Sequence, residues 1–354
     1  MSAPVGLGIV GAGMISRSYA KHLAKQPSVR LAAVADADPA RASALAREVP
    51  GLRAVPVEEL HHDPEVAVVL VLTPPAHHAD VALAAIAAGK HVYTEKPLGV
   101  DRTEAAALLD AAAAGGVRVG SAPDTFLSPA FQLAKRLVDE GRIGTPVGVT
   151  ALTLSPGPEW WHPDPAFFYR SGSGPLFDMG PYQLSALVCL LGPIAAVSAA
   201  AATTWPTRTV TSDPLAGSVV EVETLTHLSA VLEFAGGAVG TLTTSFDTAA
   251  DVSSLDVHGT EATLRCPDPS SYDGPVLLQR RGSQEWTEVE LPEPAGPPVR
   301  RGAGVVDLVR ALREGGQHRA SGELALHVVD VLDAVLTSAG EGRRVRPEGL
   351  RTPV

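Results

Sequence analysis

Short apolar runs alternate with longer segments of helical periodicity along the first third of the chain. Residues 66–72 are apolar throughout, as in a parallel strand that is covered on both faces. Asp101 and Glu104 have the spacing of a capping box ahead of an alanine-rich stretch. The pattern predicts strands at 5–10, 31–35, 66–72, 91–94 and 117–119, and helices at 15–25, 39–48, 79–88 and 101–114. This alternation of strand and helix indicates the α/β class with a doubly wound parallel sheet.

Beyond residue 122 the chain changes to strands in which apolar and polar positions alternate. Leu228, Ala230, Leu232 and Phe234 fall on one face of such a strand, and two glycines then supply a hairpin turn. The pattern predicts helices at 129–140, 181–191, 305–314 and 323–339, and strands at 228–234, 239–245, 252–258, 276–279 and 286–291. We therefore expect a parallel-sheet domain over residues 1–122, and an α+β domain with a mainly antiparallel open sheet over residues 123–354.

Composition narrows the classes of function. The 354 residues include 28 basic and 39 acidic side chains, and the net charge of −11 disfavours a protein that grips nucleic acid or an anionic membrane surface. The longest apolar stretch, 187–202, is interrupted by Gly192-Pro193 and is shorter than the ~20 residues that span a bilayer. Cys189 and Cys266 are too few for a disulfide framework, which favours reduced thiols in the cytoplasm. No basic segment precedes the first apolar run, so we expect no signal peptide.

A glycine loop joins the first predicted strand to the first predicted helix. Gly11 permits a tight turn, Gly13 lets a pyrophosphate approach the backbone, and the small Ser16 permits close packing of the helix on the sheet. Met14 and Ile15 open the helix, whose N-terminal N–H groups favour anions. The loop predicts a dinucleotide site in a Rossmann-type fold, and the alternative is a tight turn with a structural role only.

An acid at the end of the second predicted strand specifies the nucleotide. Asp36 stands where such folds accept hydrogen bonds from the adenosine ribose. Its charge repels the additional phosphate of NADP, and Ala37 supplies no compensating cation. NAD is therefore the expected cofactor, with NADP as the alternative because Arg41 is near in sequence.

Two further motifs fall at the carboxyl edge of the predicted sheet, where doubly wound folds bind ligands. One is Glu95-Lys96-Pro97, after the strand at 91–94, and the other contains Thr73, Pro74 and His78. Together with the glycine loop they resemble the glucose–fructose oxidoreductase / inositol dehydrogenase / MocA family (Gfo/Idh/MocA). The resemblance covers nearly the whole chain and implies that these residues, Glu95 and Lys96 included, surround the cofactor. Pro75 departs from the Asn that is usual in the family's Thr-Pro-Asn-x-x-His loop.

The family's second signature, Asp-x-Gly-x-His, is matched by Asp178-Met-Gly180-Pro-Tyr182. Tyr182 stands where many members carry His, and a subset that includes proteins resembling glucose–fructose oxidoreductase carries Tyr. The resemblance implies that Lys96, Asp178 and Tyr182 are catalytic. The pKa of a free tyrosine is about 10, and a cation such as Lys96 would favour the phenolate. The alternative for Tyr182 is a core contact on its helix.

Asp178 and Tyr182 are also expected to bind the substrate, and further substrate-facing residues are expected in two places. Trp161 and His162 lie in an aromatic, proline-rich segment in which polar groups would bind hydroxyls and a ring would stack on a sugar face. A packed loop or an oligomer contact is the alternative for this segment. Asp124 and Thr125 follow the last parallel strand and are candidate pocket residues.

The resemblance implies an NAD(P)-dependent oxidoreductase that transfers a hydride between the nicotinamide and a carbinol carbon of a sugar, polyol or related cyclic alcohol. Two alternatives share the fold: an NAD-dependent glycosidase and a non-catalytic sensor of NAD and sugar. We expect a homodimer or homotetramer. The histidine pairs His61-His62 and His77-His78 lack the helical spacing that directs two imidazoles at one ion, so we expect no metal site.

Overall fold

The computed structural model describes residues 3–293 and 297–348. Within these residues the chain divides into two compact units. The first unit contains the described residues up to Ser128 and those of the segment Glu293–Val329. The second contains Pro129–Pro292 and the described residues from Asp330 onward. The sequence predicts a single division after residue 122, whereas the first unit also contains residues from the later segment Glu293–Val329. The domain boundary given from sequence stays a prediction.

A six-stranded sheet forms the centre of the first unit, and every strand pair in it is parallel. Its order is β3-β2-β1-β4-β5-β6, and its strands are β1 (Val5–Val10), β2 (Val29–Ala35), β3 (Arg53–Ala54), β4 (Val68–Val71), β5 (His91–Thr94) and β6 (Val119–Ser121). All four side chains of β4 are fully buried, which explains the unbroken apolar run. The doubly wound parallel sheet is confirmed.

Five helices connect these strands: α1 (Met14–Leu23), α2 (Pro39–Glu48), α3 (Val57–His62), α4 (His78–Ala87) and α5 (Arg102–Gly115). Carboxylates begin two of them, and of these the cap at Asp101 is predicted from sequence. Asp38 accepts a hydrogen bond from the Ala40 N–H at the start of α2, and Asp101 accepts one of 2.9 Å from the Glu104 N–H at the start of α5. These caps fix where the helices leave the sheet edge that carries the motifs.

An eight-stranded, mainly antiparallel sheet forms the centre of the second unit, in the order β16-β15-β14-β13-β7-β12-β11-β8. Its strands are β7 (Pro146–Leu154), β8 (Ile194–Ala202), β11 (His227–Phe234), β12 (Val239–Ser245), β13 (Val252–Gly259), β14 (Ala262–Cys266), β15 (Val276–Arg280) and β16 (Thr287–Val289), and a separate ribbon pairs β9 (Thr207–Thr209) with β10 (Val219–Glu221). Only the β7–β12 pair of the described sheet is parallel. The α+β architecture with a mainly antiparallel sheet is confirmed.

The helices α6 (Pro129–Asp139) and α7 (Pro175–Leu191) pack on this sheet. The predicted start of α7 at residue 181 is wrong, because Pro175 occupies its first turn and Pro181 lies inside the helix. Asp178 and Tyr182 are therefore one helical turn apart on the same helix.

The last two helices are α8 (Ala303–Glu314) and α9 (Gly322–Glu341). In the first unit, α8 packs beside β6, although the sequence pattern assigns it to the second predicted domain. In the part of the chain that the structure describes, no helix is both long and apolar enough to cross a membrane.

Candidate active site

The glycine loop between β1 and α1 is open on one side and closed on the other. Gly11 has a φ of +103°, and a side chain there would lie 2.6 Å from the Leu72 carbonyl, so only glycine fits. At Gly13 a Cβ would meet nothing within 4 Å. No described side chain caps the start of α1, which leaves its first N–H groups for a ligand. This is the geometry of a phosphate cradle.

Three residues that follow Gly13 complete the loop. Ser16 is fully buried and its hydroxyl donates to the Gly13 carbonyl at 2.6 Å, so it permits the close helix–sheet packing expected of a small residue. Met14 is 77% exposed and Ile15 is half-buried at the start of α1.

Asp36 faces the glycine loop from the end of β2. Its Oδ2 accepts a hydrogen bond of 2.7 Å from the Ala12 N–H, and its Oδ1 accepts one of 2.8 Å from the Asp38 N–H. Both contacts fix the carboxylate next to the loop. The position suits an acid that bonds a ribose and repels a phosphate on it.

Beside the glycine loop, the Thr73 loop and the Lys96 loop are joined by one imidazole. His78 is 1% exposed, and its two ring nitrogens lie 2.8 Å from the carbonyl oxygens of Thr73 and Pro97. Thr73 Oγ1 is buried and has no hydrogen-bond partner among the described residues. An unsatisfied buried hydroxyl at this edge, next to the exposed Pro74, fits a site that a cofactor completes.

Glu95 and Lys96 follow β5 at the same edge of the sheet. Glu95 Oε1 accepts hydrogen bonds from the Tyr19 hydroxyl at 2.9 Å and from Arg301 at 3.1 Å, and its Oε2 accepts one of 3.0 Å from the Lys96 N–H. The Lys96 side chain is half-buried. The sequence does not indicate that Arg301 contacts Glu95, because the two residues are 206 positions apart.

In the second unit, the α7 signature borders a cavity of about 290 Å³. Asp178 and Trp161 line it, together with Ser155, Phe246, Ser253 and Asp268. Its volume is close to the lower end of the range for small-ligand pockets. The structure thus brings Asp178 and Trp161, two predicted substrate-binding residues, to one cavity, while Tyr182 is half-buried on the same helix.

His162 belongs to an aromatic cluster next to that cavity. Its ring makes edge contacts with Trp161, Phe167 and Phe168 at centroid distances of 5.2, 5.3 and 5.2 Å. Its Nδ1 accepts a hydrogen bond from the Asp164 N–H. The ring is therefore held by neighbours, and it is half-buried rather than free in solvent.

A buried ionic network that sequence reasoning missed lies beneath this segment. Arg208 is 8% exposed, contacts Glu159 at 2.8 Å and also pairs with Asp247. The Tyr169 hydroxyl donates to Glu159, and burial, followed by this carboxylate, raises the pKa of Tyr169 above its usual range. Tyr169 therefore acts as a hydrogen-bond donor within this network. Arginine is rarely buried without an acidic partner, but the sequence does not indicate that Arg208 is buried or which acids it contacts.

Two predicted substrate residues are almost completely buried. Asp124 is 2% exposed, and its Oδ2 accepts hydrogen bonds from the N–H groups of Gly302 and Gly304 at the start of α8. Thr125 is also 2% exposed. The role of Asp124 in these contacts is structural, because the helix has four N-terminal N–H groups that need acceptors. No group of three His, Cys, Asp or Glu side chains is placed to hold a metal ion among the described residues.

Comparison with known proteins agrees with both halves of this description. Residues 5–122 match an oxidoreductase family with an NAD-binding Rossmann fold (GFO/IDH/MocA), and residues 131–265 match a GFO/IDH/MocA C-terminal domain. Levoglucosan dehydrogenase of Pseudarthrobacter phenanthrenivorans is 28% identical over 286 residues, which cover 73% of this chain and 72% of the relative. Inositol 2-dehydrogenase of Rhizobium meliloti is 24% identical over 347 residues, which cover 96% of this chain and 98% of the relative.

A solved NAD-binding oxidoreductase from Klebsiella pneumoniae has the same fold. Its TM-score is 0.85 at 27% identity, and the match covers 98% of this chain and all of the other. The fold, the glycine loop with its open side, and matches to both halves of the chain all agree. The protein belongs to the Gfo/Idh/MocA family of oxidoreductases, and its first unit is an NAD-binding Rossmann fold.

Proposed function

We propose that this enzyme transfers a hydride between a nicotinamide cofactor and a carbinol carbon of a sugar, polyol or related cyclic alcohol. The observation that carries the substrate class is the cavity of about 290 Å³ that Asp178 and Trp161 both line. A carboxylate accepts hydroxyl protons, and an indole stacks on the apolar face of a sugar ring. Relatives named as dehydrogenases of levoglucosan and of inositol support the same class.

The cofactor that fits the first unit is NAD. Gly11, Gly13 and the start of α1 would hold its pyrophosphate, and Asp36 would hold its adenosine ribose. Thr73, with its unsatisfied hydroxyl, and Pro74 would lie along its nicotinamide end. When bound, the cofactor supplies the hydride acceptor or donor. Asp36 favours NAD over NADP because its charge opposes a phosphate on that ribose.

Three side chains would act on the substrate. Lys96 would stabilise negative charge on the reacting oxygen, and Tyr182 would exchange the hydroxyl proton. Asp178, one turn before Tyr182 on α7, would orient the substrate hydroxyls. These roles follow the family signatures that the chain matches at Glu95-Lys96-Pro97 and Asp178–Tyr182.

A panel of sugars and polyols, assayed with NAD and with NADP by the absorbance of the reduced cofactor, tests the activity. Lys96→Met and Tyr182→Phe should each lower kcat by about 100-fold or more while NADH affinity stays within a few-fold. The control is Lys135→Met, which removes a lysine of α6 that pairs only with Asp139 in the described contacts. Turnover near the wild-type rate in Lys96→Met would reject its role, and no turnover on any substrate would reject the activity.

We further propose a homodimer or homotetramer that works in the cytoplasm. Val231 and Val239, on neighbouring strands of one face of the large sheet, are 41% and 51% exposed. A second copy of the chain would cover these side chains. Neither Cys189 nor Cys266 forms a disulfide among the described residues, in keeping with a reducing compartment. Light scattering tests the assembly: Val231→Glu should lower the measured mass, whereas a monomeric wild type would contradict the proposal.

A further inference from the structure

The carboxylate of Glu95 is occupied by groups of the protein itself. Its Oε1 accepts hydrogen bonds from the Tyr19 hydroxyl at 2.9 Å and from Arg301 Nη1 at 3.1 Å. Its Oε2 accepts the N–H of Lys96 at 3.0 Å. The side chain is 12% exposed. With two donors on one oxygen and one on the other, this carboxylate links three parts of the chain.

The two side-chain donors, Tyr19 and Arg301, come from segments that are distant in sequence and whose backbones are held in place. Tyr19 is fully buried in α1, the helix that starts at the glycine loop. Arg301 precedes Gly302, whose N–H is bonded to the buried Asp124. A side chain on such an anchor can hold the Glu95 carboxylate in one place, because its own backbone is fixed.

Lys96 is the residue on which this arrangement acts. Its N–H points to Glu95 Oε2, and the carbonyl of the following Pro97 lies 2.8 Å from His78 Nδ1. The backbone is thus held on both sides of the lysine. The direction in which a side chain leaves the backbone follows the backbone itself, so this pair of contacts restricts where the ammonium group can reach.

We infer that Glu95 and Arg301 are positioning residues for Lys96: the Arg301 guanidinium orients the Glu95 carboxylate, which in turn fixes the Lys96 backbone. The inference rests on the catalytic role proposed for Lys96. It gives a function to Arg301, a residue of the C-terminal segment that lies outside both family motifs. Arg301 also balances the charge of a largely buried carboxylate, with a side chain that is 25% exposed.

Hydrogen exchange tests the positioning without any substrate. Pro97 has no N–H, so exchange of the Glu95–Pro97 segment reports only the amides of Glu95 and Lys96. The Glu95 N–H is bonded to the Val71 carbonyl of β4. In Arg301→Met and Glu95→Gln the Lys96 amide should exchange at least tenfold faster, and Arg301→Lys should restore most of the protection. The control is Arg310→Met, which removes an ion pair with Asp307 in the same C-terminal segment.

Kinetics supply the second measurement. Arg301→Met should lower kcat about tenfold with little change in KM or in NADH affinity, and Arg301→Lys should recover most of the rate. Equal exchange and equal kcat in Arg301→Met and Arg310→Met would overturn the inference. So would a loss of rate that is matched by an equal loss of NADH affinity. Lys96→Met is measured in parallel: full activity there rejects the proposed role of Lys96, whereas unchanged Lys96 exchange in Arg301→Met rejects the positioning.

Discussion

Asp36 Oδ2 accepts a 2.7 Å hydrogen bond from the backbone N–H of Ala12, inside the glycine loop. The acid that is proposed to hold the adenosine ribose is therefore fixed by the same loop that would hold the pyrophosphate. Asp36→Ala should weaken NAD binding by about tenfold or more, because a hydrogen bond to a charged group contributes about 1.5–3 kcal/mol. It should also strengthen NADP binding, because the repelling charge is gone. Titration calorimetry with both cofactors measures the two changes.

The matched control for this substitution is Asp38→Ala. Asp38 is exposed and caps α2 through the Ala40 N–H, so its loss should cost about 1 kcal/mol of stability. The ratio of NAD to NADP affinity should stay as in the wild type. If Asp36→Ala left that ratio unchanged, Asp36 would not be the residue that selects the cofactor.

Asp124 is expected to matter for stability and not for substrate. Its Oδ2 accepts the N–H groups of Gly302 and Gly304, and its side chain is buried. Asp124→Ala should lower the free energy of unfolding by about 1–3 kcal/mol, since two buried donors lose their acceptor. Asp124→Asn keeps an acceptor oxygen and should lose less. Chemical denaturation and the KM of the substrate are measured together, and a raised KM at unchanged stability would restore the substrate-binding role predicted from sequence.

Arg208 holds two buried carboxylates beneath the aromatic segment. It pairs with Glu159 and Asp247, and its guanidinium lies 4.5 Å from the centre of the Trp205 ring. Arg208→Met leaves both acids without their cation, which should cost about 3–5 kcal/mol and lower Tm by on the order of 10 °C. Differential scanning calorimetry measures the change.

The exposed pair Arg344–Glu233 provides the comparison for Arg208. Its side chains are 43% and 37% exposed, and solvent screens their attraction. Arg344→Met should therefore leave the stability close to that of the wild type. Equal losses in the two variants would mean that the burial of Arg208 is not what makes it important.

Most of the parallel sheet could be predicted from sequence because five of its six strands carry their own local signal, whereas the two-residue strand β3 carries none and is not predicted. β4 is apolar at every position, Gly11 marks the turn after β1, and Asp101 marks the start of α5. β8 could not be predicted in the same way. It contains six alanines, a residue with high helix propensity, and it forms a strand because it pairs with β11.

In the candidate site, too, the local motifs could be predicted from sequence and the contacts between distant residues could not. The glycine loop and the Glu95-Lys96-Pro97 motif are local patterns, and the structure places both at one edge of the parallel sheet. The partners of these residues are not local. Arg301 reaches Glu95 across 206 positions, and Asp124 reaches Gly304 across 180, so no window of sequence contains either pair. Asp124 consequently looks like a pocket residue in sequence, while its contacts make it a helix cap.

His327 should make the protein less stable in acid. Its side chain is 1% exposed in α9, and burial lowers the pKa of its imidazole to about 4. The unfolded chain takes up the proton near pH 6.5, whereas the native state takes it up only near pH 4. Between these values the unfolded state binds more protons, so stability falls as the pH falls, by about 3 kcal/mol in total from this residue.

Urea unfolding of the wild type and of His327→Gln at a series of pH values between 4 and 7 isolates this contribution. The variant has no ionisable group at the position, so its stability relative to the wild type should rise as the pH falls. Burial also lowers the pKa of His22, His91 and His318, and their contribution to acid sensitivity should remain in both proteins. His77→Gln, at an exposed position, controls for loss of an imidazole. A difference between wild type and His327→Gln that is constant with pH would show that His327 is not a buried neutral imidazole.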